Sequence, residues 1–200
     1  MGEADLAQPQ ARSTEEANAA LVRGLRERAP EACAQLYDRF APGLHRFAVT
    51  RLGDVETAEE VVVETMVSAV RDIRRFNPRR SSLAAWVYGI ARRRVQMEIR
   101  RQRRRKSVPA SVQVSTEAAR EISDGGDLAA SAAARLDSQR KVADLRNFLS
   151  HVEMEVLLLS CVEQLPAREV GQAIGRSERA VHSILHRAKR KARGRLVGDE

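Results

Sequence analysis

The stretch that most constrains this chain is PAREVGQAIGRSERAVHSILHRAKRK, running from Pro166 to Lys191. Val170 and Ile174 stand one turn apart, as on a short amphipathic helix. Gly175 follows at once, where a tight inter-helix turn needs a left-handed backbone that glycine adopts at little cost. Ser177 is placed to cap a second helix whose inward positions are Val181, Ile184, Leu185 and Ala188. Gly171 is small where that second helix must pass close to the first. The outward positions Arg179, His182, Ser183, His186 and Arg187 are polar or basic, and Lys189-Arg190-Lys191 continues the charge. This spacing predicts a helix-turn-helix whose second helix is placed to enter a major groove. An ordinary helical hairpin shares the apolar spacing. The basic outer face favours a duplex, which supplies phosphates beside the groove.

The rest of the chain also keeps the helical period. Leu36, Phe40, Leu44 and Phe47 form a stripe interrupted by Pro42, which either starts a second helix or kinks one. Gly53-Asp54 closes that element, with Asp54 as cap of the next. Ala58, Val62, Thr65, Ala69 and Ile73 line one face of the following helix, widened by Val61 and Met66, while Glu59, Glu60 and Glu64 project elsewhere. Pro78 breaks the chain at Phe76 to Arg80. Ser81 or Ser82 then caps a helix with Leu83, Trp86, Val87, Ile90 and Ala91 inward. Aromatic residues are only 4% of 200, which suits small helical domains better than a sandwich or barrel. Residues 106–138 are rich in Ser, Ala and Gly and poor in large apolar side chains, so they predict a flexible linker. The expected organisation is all-α: a polar extension over 1–20 expected to be disordered, a helical domain over 21–105, the linker, and the helix-turn-helix domain over 139–197.

Charge is distributed unevenly. Arg71 to Lys106 carries 14 basic residues against Asp72 and Glu98, and Arg176 to Arg195 carries 8 against Glu178. The net charge of the whole chain is only +8, so the remainder is acidic. Two concentrated basic blocks, each inside an apolar-periodic segment, read as two footprints for a polyanion. Solvated helix faces are the bland alternative. The two cysteines, Cys33 and Cys161, cannot form a disulfide framework, and no CxxC is present. No apolar run approaches a membrane span, and the first residues lack a signal peptide's apolar region. A cytoplasmic protein without membrane insertion is the expectation. His182 and His186 are four residues apart, but no glutamate completes an HExxH, and no phosphate-binding glycine loop or nucleophile elbow is present. Neither an enzyme nor a metal or other cofactor is expected.

These segments resemble the bacterial RNA polymerase sigma factors, specifically the extracytoplasmic-function (ECF) group of the sigma-70 family. LYDRFAPGLHRFAVTRLGDVETAEEVVVETMVSAV is similar to the core-binding part of sigma region 2. RRFNPRRSSLAAWVYGIARRRVQMEIRRQRRR is similar to its promoter-melting, minus-ten-reading part, and VEMEVLLLSCVEQLPAREVGQAIGRSERAVHSILHRAKRKARGRL resembles region 4, which reads the minus-thirty-five element. Val63 and Val70 stand where the family usually carries glutamine and tryptophan, and Arg176 where an apolar residue is common.

The resemblance implies a sigma factor that binds core RNA polymerase and directs it to promoter DNA, with an anti-sigma factor as a further partner. It assigns Glu59, Glu60, Val63 and Glu64 to the polymerase. It assigns Asn77, Arg79, Arg80, Ser81, Ser82, Arg92, Arg93, Arg94, Arg100 and Arg101 to the minus-ten region, where the 77–82 loop captures an extruded base. Arg176, Ser177, Arg179, His182, Ser183, His186, Arg187, Lys189 and Lys191 fall to the minus-thirty-five element. Trp86 has the ring to stack on a base, but its inward register with Val87 and Ile90 favours a core role. Two other classes stay open: a stand-alone helix-turn-helix regulator that binds duplex DNA as a dimer, and an interaction protein that binds RNA or polymerase without reading promoters. An acidic helix beside an arginine-rich one is unnecessary for the first of these.

Overall fold

The computed structural model describes residues 7–106 and 144–196, and every regular element among them is helical. In the N-terminal block, α1 spans Ala7–Arg26, α2 Pro30–Leu52, α3 Val55–Asp72 and α4 Leu83–Lys106. In the C-terminal block a helical turn at 144–148 leads to α5 (His151–Leu157), which widens into a π-turn at Leu158–Val162. α6 (Ala167–Ile174) and α7 (Glu178–Leu196) follow. The expected linker, from residue 107 onward, and the stretch 139–143 lie outside the described residues.

Local chemistry explains the helix boundaries. α2 begins with Pro30, whose missing N–H costs nothing at a helix start. It ends at Gly53, which takes φ 76° and donates its N–H to Val49 O. The Asp54 carboxylate then caps α3 by accepting from Thr57 N at 2.9 Å. Pro42 neither divides nor ends α2; it stands on an exposed side and the helix runs through it. Ser82 caps α4, its Oγ accepting from Ala85 N at 3.1 Å.

The apolar stripes read from the sequence are the core. Leu36, Phe40, Leu44 and Phe47 of α2 are buried against Ala58, Val62, Thr65 and Ala69 of α3 and Leu83, Val87, Ile90 and Ala91 of α4. Trp86 is half-buried and tilts its ring against Phe76, centroids 5.3 Å apart. Over 7–20 the expected disordered extension is corrected by α1, which is helical from Ala7, while residues 1–6 lie outside the described residues. Leu21, Val22 and Leu25 anchor that helix in the core, and the Ala- and Glu-rich residues before them have the propensity to propagate it backwards. Pro9 falls within the first turn, where proline is tolerated.

Candidate nucleic-acid and partner interfaces

Three surfaces carry the residues singled out by the sequence. The first is the outer face of α3. Its apolar stripe turns inward, so Glu59, Glu60, Val63 and Glu64 are exposed, and Val67 extends the row one turn further. Val63 and Val67 are more than half exposed, which makes an apolar strip flanked by carboxylates. Glu64 is not alone there. Arg94 of α4 reaches across to its carboxylate and donates to Ser68 Oγ at 2.7 Å. The polymerase and minus-ten assignments thus meet in one ion pair, and Arg94 turns toward α3 rather than away from the block.

The second surface is α4 with the corner before it. Asn77, Arg79 and Arg80 are exposed, and Ser81 and Ser82 half-buried. The Asn77 side chain folds the corner by accepting from Arg79 N at 3.0 Å. Arg93, Arg100 and Arg101 are exposed along α4. Arg92 points into the seam with the C-terminal block.

The third surface is the helix-turn-helix. Gly175 takes φ 69°, as the turn requires, and Ser177 Oγ caps α7 by accepting from Ala180 N at 3.3 Å. A Cβ on Gly171 would lie 2.6 Å from the Arg176 carbonyl oxygen, so only glycine lets the turn pack this close. Val170 and Val181 are fully buried between α6 and α7, with Ile184 and Ala188 beside them. Arg176, Ser177, Arg179, His182, Ser183, His186, Arg187 and Lys189 face outward. Ser183 returns its hydroxyl to Arg179 O at 3.2 Å, and His182 lies 4.0 Å from Glu178. Lys191 instead turns inward, 2.9 Å from the Glu153 carboxylate of α5. Burial pushes the Glu153 pKa up, but hydrogen bonds from Lys191 and from the Ser150 capping box more than offset this and hold it below the usual carboxylate value. Lys191 therefore braces α7 against α5 as well as carrying charge. Among the described residues, no group of three or more His, Cys, Asp or Glu could hold a metal ion.

Sequence reasoning missed the seam between the blocks. At its centre Glu155 of α5 has a completely buried side chain; it accepts from Arg92 Nε at 2.8 Å and from Arg51 Nη2 at 3.3 Å. Arg51 is itself only 2% exposed in its side chain, and burial lowers its pKa against the opposing pull of Glu155. Glu163, just past the π-turn, accepts from Arg46 at 3.1 Å and from the Tyr88 hydroxyl at 2.7 Å. Burial and this carboxylate push the Tyr88 phenol well above its ordinary pKa. Gly43 makes the room, since a Cβ there would meet both Glu163 and the Tyr88 hydroxyl. Gln172 of α6 accepts from Ser82 N at 3.3 Å, and His151 bonds Arg103 near the far end of α4. Two signals were available. Arg51 continues the α2 stripe four residues beyond Phe47, and Glu155 interrupts the apolar run Met154 to Leu159. A charge at an apolar register position implies a buried partner.

Comparison with known proteins follows this division of the chain. The family described as Sigma-70 region 2 matches residues 36–105, and Sigma-70, region 4 matches residues 149–191. The chain is 28% identical over 171 residues to the ECF RNA polymerase sigma factor BldN of Streptomyces coelicolor, covering 85% of this chain and 62% of that protein. It is 27% identical over 170 residues to the ECF RNA polymerase sigma factor SigD of Mycobacterium tuberculosis, covering 83% and 77%. The chain thus spans less than two thirds of the length of BldN. Among solved structures, CnrH in complex with the cytosolic domain of CnrY superposes with a TM-score of 0.70 at 22% identity, covering 92% of this chain and 99% of that one. The sigma factor RpoE in complex with the anti-sigma factor NepR from Bartonella quintana gives 0.62 at 21% identity, covering 84% and 98%. These last two likenesses establish the fold.

Proposed function

The chain belongs to the sigma-70 family, in its ECF group, and from that premise we propose that it binds core RNA polymerase and directs it to promoters that it recognises at two elements. One observation carries the reading. A single chain holds, in order, an exposed carboxylate-and-valine face on α3, an arginine-rich α4 and a helix-turn-helix with a basic outer face. A simple regulator needs only the last of these.

Each surface has a distinct physical task in this proposal. Glu59, Glu60 and Glu64 attract a basic partner surface, and the Val63 and Val67 side chains bury apolar area once it docks. Arg93, Arg100 and Arg101 neutralise phosphates along the duplex and the separated strand, with Arg92 joining them once released from Glu155. The corner at 77–82 offers small polar groups to the edge of an unstacked base. On α7, Arg179, His182, Ser183 and Arg187 face base edges, while Lys189 and the residues beyond it meet phosphates. The chain acts by binding, and bond-making stays with the polymerase. An anti-sigma partner and a cytoplasmic location belong to the same proposal; RpoE is named in complex with the anti-sigma factor NepR. No helix among the described residues is long and apolar enough to cross a membrane.

Gel filtration tests the assignment. The chain should co-elute with core polymerase, and the pair should retain a forked promoter fragment that neither retains alone. Retention of a palindromic duplex by the chain without polymerase would support the stand-alone regulator instead.

A further inference from the structure

The chain leaves the helices of the N-terminal block at Phe76, and that residue is held at both ends. Its ring is buried and tilts against Trp86, centroids 5.3 Å apart. Its N–H closes the short 3-10 turn Ile73–Arg75 by donating to Ile73 O at 3.1 Å. Its backbone then turns extended, at φ −66° and ψ 129°, so the carbonyl has no helical amide to accept from. Arg26 of α1 supplies the donor from 50 positions earlier: its Nη2 lies 3.0 Å from Phe76 O. Arg26 reaches out from a fixed place. It follows Leu25, which is fully buried, and α1 ends there in a closed turn where Ala29 N donates to Gly24 O at 2.9 Å and Arg28 N to Leu25 O at 3.1 Å. It also precedes residue 36, where the match to sigma region 2 begins.

We propose that Arg26 is a positioning residue for base capture: its bond to Phe76 O fixes the direction in which the chain enters the 77–82 corner, and so aims the Asn77 amide at an extruded base. The proposal rests on the assignment of that corner to base capture. Phe76 O and Asn77 N belong to one rigid peptide plane, so a donor held on that oxygen sets the plane and the Asn77 Cα with it. Pro78 confines Asn77 to extended backbone and removes most of the freedom that remains. The corner beyond is closed on Asn77 itself. Arg80 N and Ser81 N donate to Asn77 O at 3.0 and 3.3 Å, and Arg79 N donates to the side-chain oxygen at 3.0 Å. With that oxygen committed, the Nδ2 donors are the end of the amide left to meet an acceptor on a base edge. A tilt of the Phe76–Asn77 peptide moves the whole corner, since its internal bonds travel together. The fold itself does not depend on the guanidinium, because Arg26 is exposed and Leu21, Val22 and Leu25 seat α1 without it.

The test uses the full chain assembled with core polymerase and a fluorescein-labelled pool of single-stranded DNA randomised at its central positions. Bound strands are sequenced, and the base preference at each position is compared between variants. Asn77→Ala identifies the position that the corner reads, as the one whose preference it abolishes. Arg26→Met keeps the length of the side chain and removes its donors. It should lower preference at that same position by about fivefold, the ratio to which a hydrogen bond of ordinary net strength converts. Preference at the other positions, helicity by circular dichroism and co-elution with polymerase should match the parent. Arg26→Lys restores a donor and should recover most of the loss, and Arg26→Met should add nothing in an Asn77→Ala background. A purely structural role would instead cost helicity, co-elution or every position together, and a phosphate contact would weaken all strands alike; either result overturns the proposal. If Asn77→Ala abolishes no preference, the base-capture reading fails and takes the proposal with it. A loss in Asn77→Ala that Arg26→Met does not share defeats the positioning role alone.

Discussion

Three glycines in the C-terminal block give a signed test of the helix-turn-helix, because each should respond to alanine for a different reason. At Gly171 an added methyl would lie 2.6 Å from the Arg176 carbonyl, which is main chain and cannot swing aside. Ordinary contact begins near 3.4 Å, so the α6–α7 pair must part by several tenths of an ångström. Overpacking of this kind costs about 2–3 kcal/mol, offset by about 1 kcal/mol of helix propensity gained over glycine. At Gly175 nothing lies within 4 Å, and the cost is the left-handed backbone alone, about 1 kcal/mol. At Gly194 there is also open space, and the backbone is helical, so alanine should stabilise by about 0.5 kcal/mol near the fraying end of α7. Thermal unfolding followed by circular dichroism should rank the melting points Gly194→Ala above parent, parent above Gly175→Ala, and Gly171→Ala at or below Gly175→Ala. A shift of about 2–4 °C per kcal/mol applies if the blocks melt together. Gly171→Ala melting at or above the parent would refute the close crossing, and with it the presentation of α7 to a groove.

Other perturbations address the remaining surfaces. Glu59→Lys/Glu60→Lys should abolish capture of core polymerase in a pull-down while leaving helicity unchanged; Glu64 is spared because it is tied to Arg94. Arg179→Ala should relax preference at one base-pair position of a randomised upstream element by roughly 5- to 150-fold, equivalent to about 1–3 kcal/mol, whereas Lys191→Ala should weaken all sequences alike and also lower the melting point, since it removes the ion pair with Glu153 and leaves that carboxylate only its Ser150 hydrogen bond. The Glu153 pKa is held below 4.5, so its contribution is fully present above that pH and is lost as pH falls through the lowered value; Glu153→Gln should flatten that limb of a stability–pH curve. His151 is held below 6.5 by burial and by Arg51 and Arg103, against the pull of Glu155, so its contribution to stability is present above pH 6.5 and is lost as pH falls through the lowered value; His151→Gln should flatten that part of a stability–pH curve.

What the sequence revealed depends on whether one chain segment suffices to state it. The stripes on α2, α3 and α4, the caps at Asp54, Ser82 and Ser177, and the left-handed turn at Gly175 are local, and each was legible as spacing plus residue type. The helical residues before Leu21 were missed because the missing period masked a high helix propensity that buried Leu21, Val22 and Leu25 only had to extend. Pro42 left two outcomes open because its ring constrains local backbone, while α2 is held by packing on both sides of it. The inward turns of Arg94 to Glu64, Arg92 to Glu155 and Lys191 to Glu153 were not legible. Each joins residues 30 or more positions apart, and a basic residue beside a basic neighbour looks alike whether it faces phosphate or carboxylate.

Run-off transcription measures directly whether this chain gives core polymerase a promoter specificity that it otherwise lacks. Purified core polymerase should be incubated with genomic promoter fragments with and without the chain, and transcript ends mapped. Discrete transcripts should appear only with the chain, start at fixed positions downstream of two shared sequence elements, and disappear with Glu59→Lys/Glu60→Lys. Transcripts identical with and without the chain, under conditions where it co-elutes with polymerase, would contradict that specificity.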